Sequence, residues 1–278
     1  MSELPRIEAR LRALSQVREV IRAMRGLASA RLRGAERVLA ATARYREIVA
    51  ESHRRLRGVV DAPAGDGPPA VLVITAEHGF VGAFSRQIAE RVRARPGPAA
   101  QPFVVGRRGA ARLEELGLRP RLVLPQAPHP TGVVAAAREV VWALGRPARL
   151  RLLYPRPVAG GFDLAEERVP EEAPAPTPRA GVTAPRTHLP LAALDEALAE
   201  ELVRAAVIHA LAAAFAAETA MRLRTCEQAG RNIDRRAEEL VHLRHRLRQE
   251  TITTELLDVV TGAEALRRTA AQPDHGAD

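Results

Sequence analysis

Lysine is absent from this 278-residue chain, so all 42 basic residues are arginine, set against 33 acidic ones for a net charge of +9. That bias reads first as GC-rich coding and second as arginine-specific chemistry. It also removes any G-x-x-x-x-G-K-S/T phosphate loop, because the motif needs its lysine. Cysteine occurs once, at Cys226, which excludes an internal disulfide and a cysteine-based zinc site and fits a reducing compartment. Aromatics are only 3% of the chain, so aliphatic residues and alanine must build the core. No apolar run reaches the ~20 residues of a membrane span, and Met1 to Arg6 contains no signal-peptide h-region. Neither a membrane crossing nor a leader is expected. Proline is almost confined to the middle: only Pro5 and Pro273 lie outside Pro63 to Pro190. Helical rods flanking a proline-punctuated centre are the first expectation.

The C-terminal rod organises the rest. From about Leu191 to Leu266 the chain is rich in Ala, Leu, Arg, Glu and Gln, which lose least on entering a helix. At ~1.5 Å per residue it would be on the order of 110 Å long, too long for one globular core to cover. Its seam is sparse: Leu223, Cys226, Gly230, Ile233, Ala237, Leu240, Leu243 and Leu247. Several of these are small, which admits close backbone approach without a strong apolar core. Cys226 falls on that seam as a buried, inert thiol. Ala205 to Ala217 is read as buried helix, with Glu218 and Arg222 following.

A second rod spans about Ser2 to Val60. Leu4, Ile7, Leu11, Leu14, Ile21, Ala28, Leu32, Ala35, Leu39, Thr42 and Val49 follow three-four steps, with Arg18, Arg25 and Arg46 in intervening slots. That is a sustained heptad pattern. Periodicity alone admits a parallel homodimer or an antiparallel pair within one chain.

Between the rods, Asp61 to Pro69 is a linker. Ala70 to Thr75 is a continuous apolar run, the pattern of a strand buried on both faces. Glu77 to Ser85 turns from it into a helix reaching about Arg95. Further strands are expected at Phe103–Val105, Arg121–Leu124 and Arg149–Tyr154, and helices at Arg107–Leu116 and Val133–Leu144. Alternation of this kind implies a small, mainly parallel, Rossmann-like sheet. Ala159 to Arg168 is an antiparallel edge candidate, and Glu171 to Pro185 is expected to be mobile. The expected domains are 1–60, 70–170, a linker 171–190, and 191–270.

Chemistry-bearing constellations are few. Gly79-Phe80-Val81-Gly82 is not a dinucleotide fingerprint. His242 and His245 lie three apart but are flanked by arginines, as on a solvated face. His209, among alanines, reads as a packed, hydrogen-bonded histidine. No nucleophile elbow or convincing carboxylate pair is present, so no cofactor, metal or bond-making activity is expected. The basic balance implies an acidic partner. Nucleic acid is disfavoured because the arginines are interleaved with Glu and Asp and aromatics are scarce. A nucleotide-binding enzyme using the central sheet is the other rival.

Arg248-Gln249-Glu250-Thr251-Ile252-Thr253-Thr254-Glu255, continuing to Gly262-Ala263, resembles the C-terminal signature of the gamma subunit of F-type ATP synthases. The sixteen positions align without a gap, with Asp258 where a glutamate is usual. Val20-Ile21-Arg22-Ala23-Met24 and Ala30-Arg31-Leu32-Arg33 resemble the family's N-terminus. Glu77 to Ser85 is similar to its Asp-Arg-Gly-Leu-Cys-Gly-Gly-Leu-Asn turn, with His78 for the arginine, Val81 for the cysteine and Ala83 for the second paired glycine. The resemblance implies a long antiparallel coiled coil of the terminal helices plus the small Rossmann-like α/β domain. It implies a rotor shaft inside a ring of alpha and beta subunits, joined to epsilon and the c-subunit ring. Such a chain would meet the inner membrane peripherally, on its cytoplasmic side and only through the complex. Rotor–stator contacts are then expected at Arg248, Gln249, Thr253 and Glu255, with Arg22 and Met24 on the other helix.

Overall fold

The structure is a computed structural model and describes residues 3–57, 69–95, 101–145, 147, 149–170 and 187–270, leaving aside the side chains of 265, 266 and 268–270. The linker expected at 61–69 and the proline-rich stretch 171–185 fall outside these residues, apart from Pro69. The chain divides into two compact units, Met1–Ala23 with Glu227–Asp278, and Met24–Cys226.

Helix α1 (Glu3–Arg57) takes its pattern from a strict repeat. Ile7, Leu14, Ile21, Ala28, Ala35, Thr42, Val49 and Leu56 recur every seventh residue, and all but half-buried Leu14 are buried. A seven-residue period is shorter than two turns of a straight helix, so a seam that keeps it winds left-handedly. Pro5 sits in the first turn, where its missing N–H leaves no bond unmade. Helix α5 (Leu191–Ala270) is the longest element.

In the first unit, α1 and α5 run antiparallel. Ile21 Cγ2 lies 4.0 Å from where a Cβ on Gly230 would stand, and Arg18 Nη2 is 2.5 Å from Asp234 Oδ1. The numbers descend on one helix as they rise on the other. Leu11 and Ile233, expected to face inward, are half-buried, and Ile21 is buried.

The second unit holds strands β1 (Ala70–Ile74), β2 (Phe103–Val105), β3 (Leu122–Leu124), β4 (Leu150–Val158) and β5 (Gly161–Val169). They form one sheet in the order β3-β2-β1-β4-β5, with β1, β2, β3 and β4 parallel and β5 antiparallel at the edge. Register sets Val73 opposite Val104 and Leu72 opposite Leu152. Because side chains alternate along a strand, the sheet has two cores. Leu72, Ile74, Val105 and Leu152 meet α4 (Val133–Leu144) and α5, with Val38 and Leu39 of α1. Val73, Val104 and Leu153 meet α2 (Phe84–Arg93) and α3 (Arg107–Glu115).

One strand exceeds its expected length. β4 continues past Tyr154 through Pro155 and Pro157, residues that normally stop a strand. Its pairing to β1 has ended at Leu153, so beyond that point only β5 lies beside it. The missing N–H groups can then face the open side.

Ala205 to Ala217 is buried helix, as its composition implied. An 18-residue window of α5 would pass for a membrane span by mean hydropathy, 1.4, yet 83% of it is buried inside the protein. Beside that segment, Thr42 Oγ1 lies 3.4 Å from His209 Nδ1, and the Tyr154 ring stands edge-on to His209 at 6.4 Å. Tyr154 donates to Glu167 Oε1 at 2.5 Å, and Arg46 grips both Glu167 oxygens at 3.0 and 2.9 Å. Burial, then the Glu167 hydrogen bond, pushes the Tyr154 phenol up. Where the end of α1 meets the start of α5, His53 Nε2 faces Asp195 Oδ1 at 3.7 Å and Arg57 Nε faces it at 3.5 Å.

Two predictions follow from this packing. Gly109→Ala should destabilise by about 1–3 kcal/mol, because its Cβ would stand 2.2 Å from Thr75. Gly262→Ala, with nothing within 4 Å, should instead stabilise by up to ~1 kcal/mol; denaturant unfolding reads both. Burial holds the pKa values of His53 and His209 below the ordinary 6.5, outweighing Asp195 and Glu167. A depressed pKa means stability present above about pH 6.5 and lost as pH falls through the folded values. Glu166 and Glu218 are displaced downward from 4.5, so the histidines dominate between the two ordinary values. Replacing both histidines by Gln should flatten the pH dependence of unfolding there.

Candidate functional site

Two regions of the described chain carry unexplained chemistry. The first is the far end of α5. Every residue from Arg248 to Glu264 is exposed, including Ile252, Leu256, Leu257, Val259 and Val260. Helical spacing sets Arg248, Ile252 and Glu255 along one stripe and Gln249, Thr253 and Leu256 along the next. Gln249 and Thr253 line a shallow open groove with Arg246, Glu250 and Thr254. The hydroxyls of Thr251, Thr253 and Thr254 each donate to the carbonyl four residues back, at 2.9 Å. That back-bonding satisfies them internally and leaves methyl groups outward.

The structure brings Arg248, Gln249, Thr253 and Glu255 together within two turns. Arg22 is not among them. It is exposed on α1 next to Ile21, which lies against Gly230, eighteen residues earlier on α5 than Arg248 and so ~27 Å along the helix. Met24 is half-buried and belongs to the second unit. His242 and His245 are exposed, and among the described residues no three His, Cys, Asp or Glu side chains are grouped as a metal site requires.

The second region is the C-terminal edge of the parallel strands, where open α/β sheets bind ligands. After β1, Glu77 Oε2 accepts from the N–H of Arg107, the first residue of α3, at 3.0 Å, and from that of Gln126, after β3, at 3.2 Å. Thr75 Oγ1 donates to the Val105 carbonyl at 2.8 Å. Gly106, at φ +104, and Gly109 let α3 pack directly on Thr75; any Cβ there would collide. From α5, Glu218 accepts the N–H of Glu77 and of His78, each at 3.1 Å, and pairs with Arg222 at 2.5 Å. Arg222 Nε also donates to the Gly79 carbonyl at 3.3 Å. Burial alone would raise the Glu218 pKa, but His78, Arg222 and the Glu77 N–H together hold its carboxyl below the usual range.

Sequence reasoning missed Glu77, Gly106, Gly109 and the role of Glu218. Two signals were available. Gly106-Arg107-Arg108-Gly109 follows a strand and opens a helix, and Glu218-x-x-x-Arg222 closes an otherwise apolar buried run. A carboxylate in such a run must be paired.

Two long helices with an α/β layer inserted between them in the chain define the class: a mixed α/β protein whose second helix ends in an exposed run. A family model described as ATP synthase matches residues 3–266. The mitochondrial ATP synthase subunit gamma of Pichia angusta is 25% identical over 274 residues, covering 95% of this chain and 99% of its own. The ATP synthase gamma chain of Beutenbergia cavernae is 28% identical over 286 residues, covering 92% and 96%. A chain of the Euglena gracilis mitochondrial ATP synthase, in an assembly with the c-ring in rotational state 3, superposes with a TM-score of 0.70 at 16% identity, covering 99% of this chain and 98% of that one. This chain belongs to the ATP synthase gamma-subunit family.

If the bare end of α5 is there for contact and not for folding, substitutions in it should leave the isolated chain intact. Ala at Arg248, Gln249, Thr253 or Glu255 should change unfolding free energy by less than ~0.5 kcal/mol. A larger loss at any of them would assign it a structural role.

Proposed function

We propose that this chain is the central rotor shaft of an F-type ATP synthase, coupling ion-driven rotation of a c-subunit ring to ATP synthesis or hydrolysis at alpha and beta subunits. Segments 1–60 and 191–270 form the coiled-coil shaft, 70–170 the α/β domain, and 171–190 the connection between them. The chain carries no bond-making residues of its own. Its partners are the alpha and beta subunits around the shaft, epsilon, and the c ring. Through these it is peripheral to the inner membrane, on the cytoplasmic side.

The observation that carries the reading is the run Arg248–Glu264: seventeen successive helical positions, all exposed, in the stretch that most resembles the family. Arg248, Gln249, Thr253 and Glu255 are assigned to rotor–stator contact there, with Arg22 and Met24 contributing elsewhere on α1. Arg248 offers a fork of donors to a carboxylate, and Gln249 both donates and accepts, so contacts can be exchanged during a turn. An asymmetric shaft acts by favouring different states of the surrounding subunits in succession.

Each such contact should be worth about 0.5–3 kcal/mol, depending on whether its partner is a buried charge. Arg248→Ala with Gln249→Ala should therefore leave folding and assembly unchanged while impairing ATP-driven ion pumping in the reconstituted complex. Unchanged pumping at equal assembly would remove the coupling assignment.

A further inference from the structure

The crevice at the C-terminal edge of the sheet is not used by the rotor reading, and its chemistry is that of a filled site. Glu218 is 4% exposed, and both its oxygens are held. Oε2 takes the Glu77 N–H, and Oε1 takes the His78 N–H and the Arg222 guanidinium, with His78 Nδ1 at 3.7 Å. Two successive backbone donors, one to each oxygen, form a fork matched to a planar carboxylate, and the arginine supplies the countercharge. Next to it the Glu77 carboxylate caps the N–H groups that follow β2 and β3. The backbone donors that a sheet of this kind would aim at a bound anion are thus occupied by carboxylates. Glu77 comes from the sheet's own turn, whereas Glu218 arrives from a helix, 141 residues further along the chain.

We propose that this crevice is a carboxylate-binding site whose ligand is the chain's own Glu218, so that α5 is seated on the sheet as a bound anion would be. The turn shows the grip of such a site. Phe80 is held at φ +59 although it is not glycine, and Gly82 at φ +58 lies against Thr225. Arg222 fixes the Gly79 carbonyl, and Arg108 approaches Gly79 from α3. The charges near the pair include Arg108, Glu77 and the partner of Glu77, Arg107. The assignment does not depend on the rotor reading, since it concerns only how two parts of one unit are joined.

Chemical rescue tests it on the full chain. Glu218→Ala should leave the two N–H groups and Arg222 around a space the size of a small carboxylate. Exchange of the Glu77 and His78 amides should then accelerate at least about tenfold, the factor set by one charged hydrogen bond. Acetate at matched ionic strength should slow that exchange again and raise the melting temperature of the variant, compared with chloride, while leaving wild type unaffected. Glu218→Gln, which keeps the shape and loses the charge, should not be rescued. Acetate acting alike on wild type and Glu218→Ala, or unchanged exchange at the two amides, would overturn the assignment. Should Glu218→Ala not fold, Glu218→Asp retains the charge on a shorter arm. It should speed exchange at Glu77 and His78 but not at Val104 in the sheet centre, and equal rates at all three would overturn the assignment as well.

Discussion

Between Ala205 and Thr219 every residue of α5 except half-buried His209 is buried, and most are alanine. A helix apolar on all sides must be covered on all sides. Small side chains bring its backbone close to whatever covers it, and each surrenders almost no rotamer entropy on burial. Sheet residues cover one flank, α4 and α1 the others. The parallel sheet in turn needs its faces capped, and this segment of α5 supplies part of that cap. Helix and sheet are thus each other's condition for burial. Two polar residues of the segment, His209 within it and Glu218 near its end, must then find partners inside the protein.

His209 finds the Thr42 hydroxyl and the Tyr154 ring, while the carboxylates of the second unit take arginines, and the geometry explains why lysine would not substitute. Arg46 reaches both oxygens of Glu167, Arg95 and Arg151 take one oxygen each of Glu166, and Arg222 shares Glu218 with two backbone donors. A planar fork fits a carboxylate at two points, where an ammonium is a single point of charge. Pairs of this kind contribute little net stability once desolvation is counted, but breaking the one at Glu218 would leave a buried charge uncompensated. Two of them act as register marks, setting Arg46 of α1 against Glu167 of β5 and Glu218 of α5 against the turn after β1.

Much of this was legible in the sequence, for identifiable reasons. The heptad of α1 could be read because every seventh residue, Thr42 excepted, is apolar and charged residues fill many of the positions between. β2 and α4 were placed to the residue because an apolar run and a glycine-bounded alanine segment leave few alternatives. β4 was read too short because proline in a strand is normally a stop, and only pairing shows that its far half has an open side. The crevice was not legible because its members, Glu77, Arg107, Gln126 and Glu218, are scattered along the chain and meet only through sheet order. Arg248, Gln249, Thr253 and Glu255 were expected from resemblance to make contacts, and the helix alone brings them together. Arg22 was grouped with them, although pairing at Ile21 and Gly230 sets it far along the rod.

The bare end of α5 is the counterpart of the buried segment. Its threonines turn their hydroxyls onto their own backbone, and its apolar side chains stand in water among charges that no described residue engages. Nothing within the described chain commits these groups to one arrangement. On the proposed rotor role, contacts made there would replace water by protein at small net free energy, so none would be deep enough to arrest the surface against a single partner. The joint at Glu218 has the opposite character: buried, charged, and with both carboxylate oxygens accepting hydrogen bonds. A rotor shaft of the kind proposed needs both kinds of contact, and α5 carries Glu218 in one unit and the exposed run in the other.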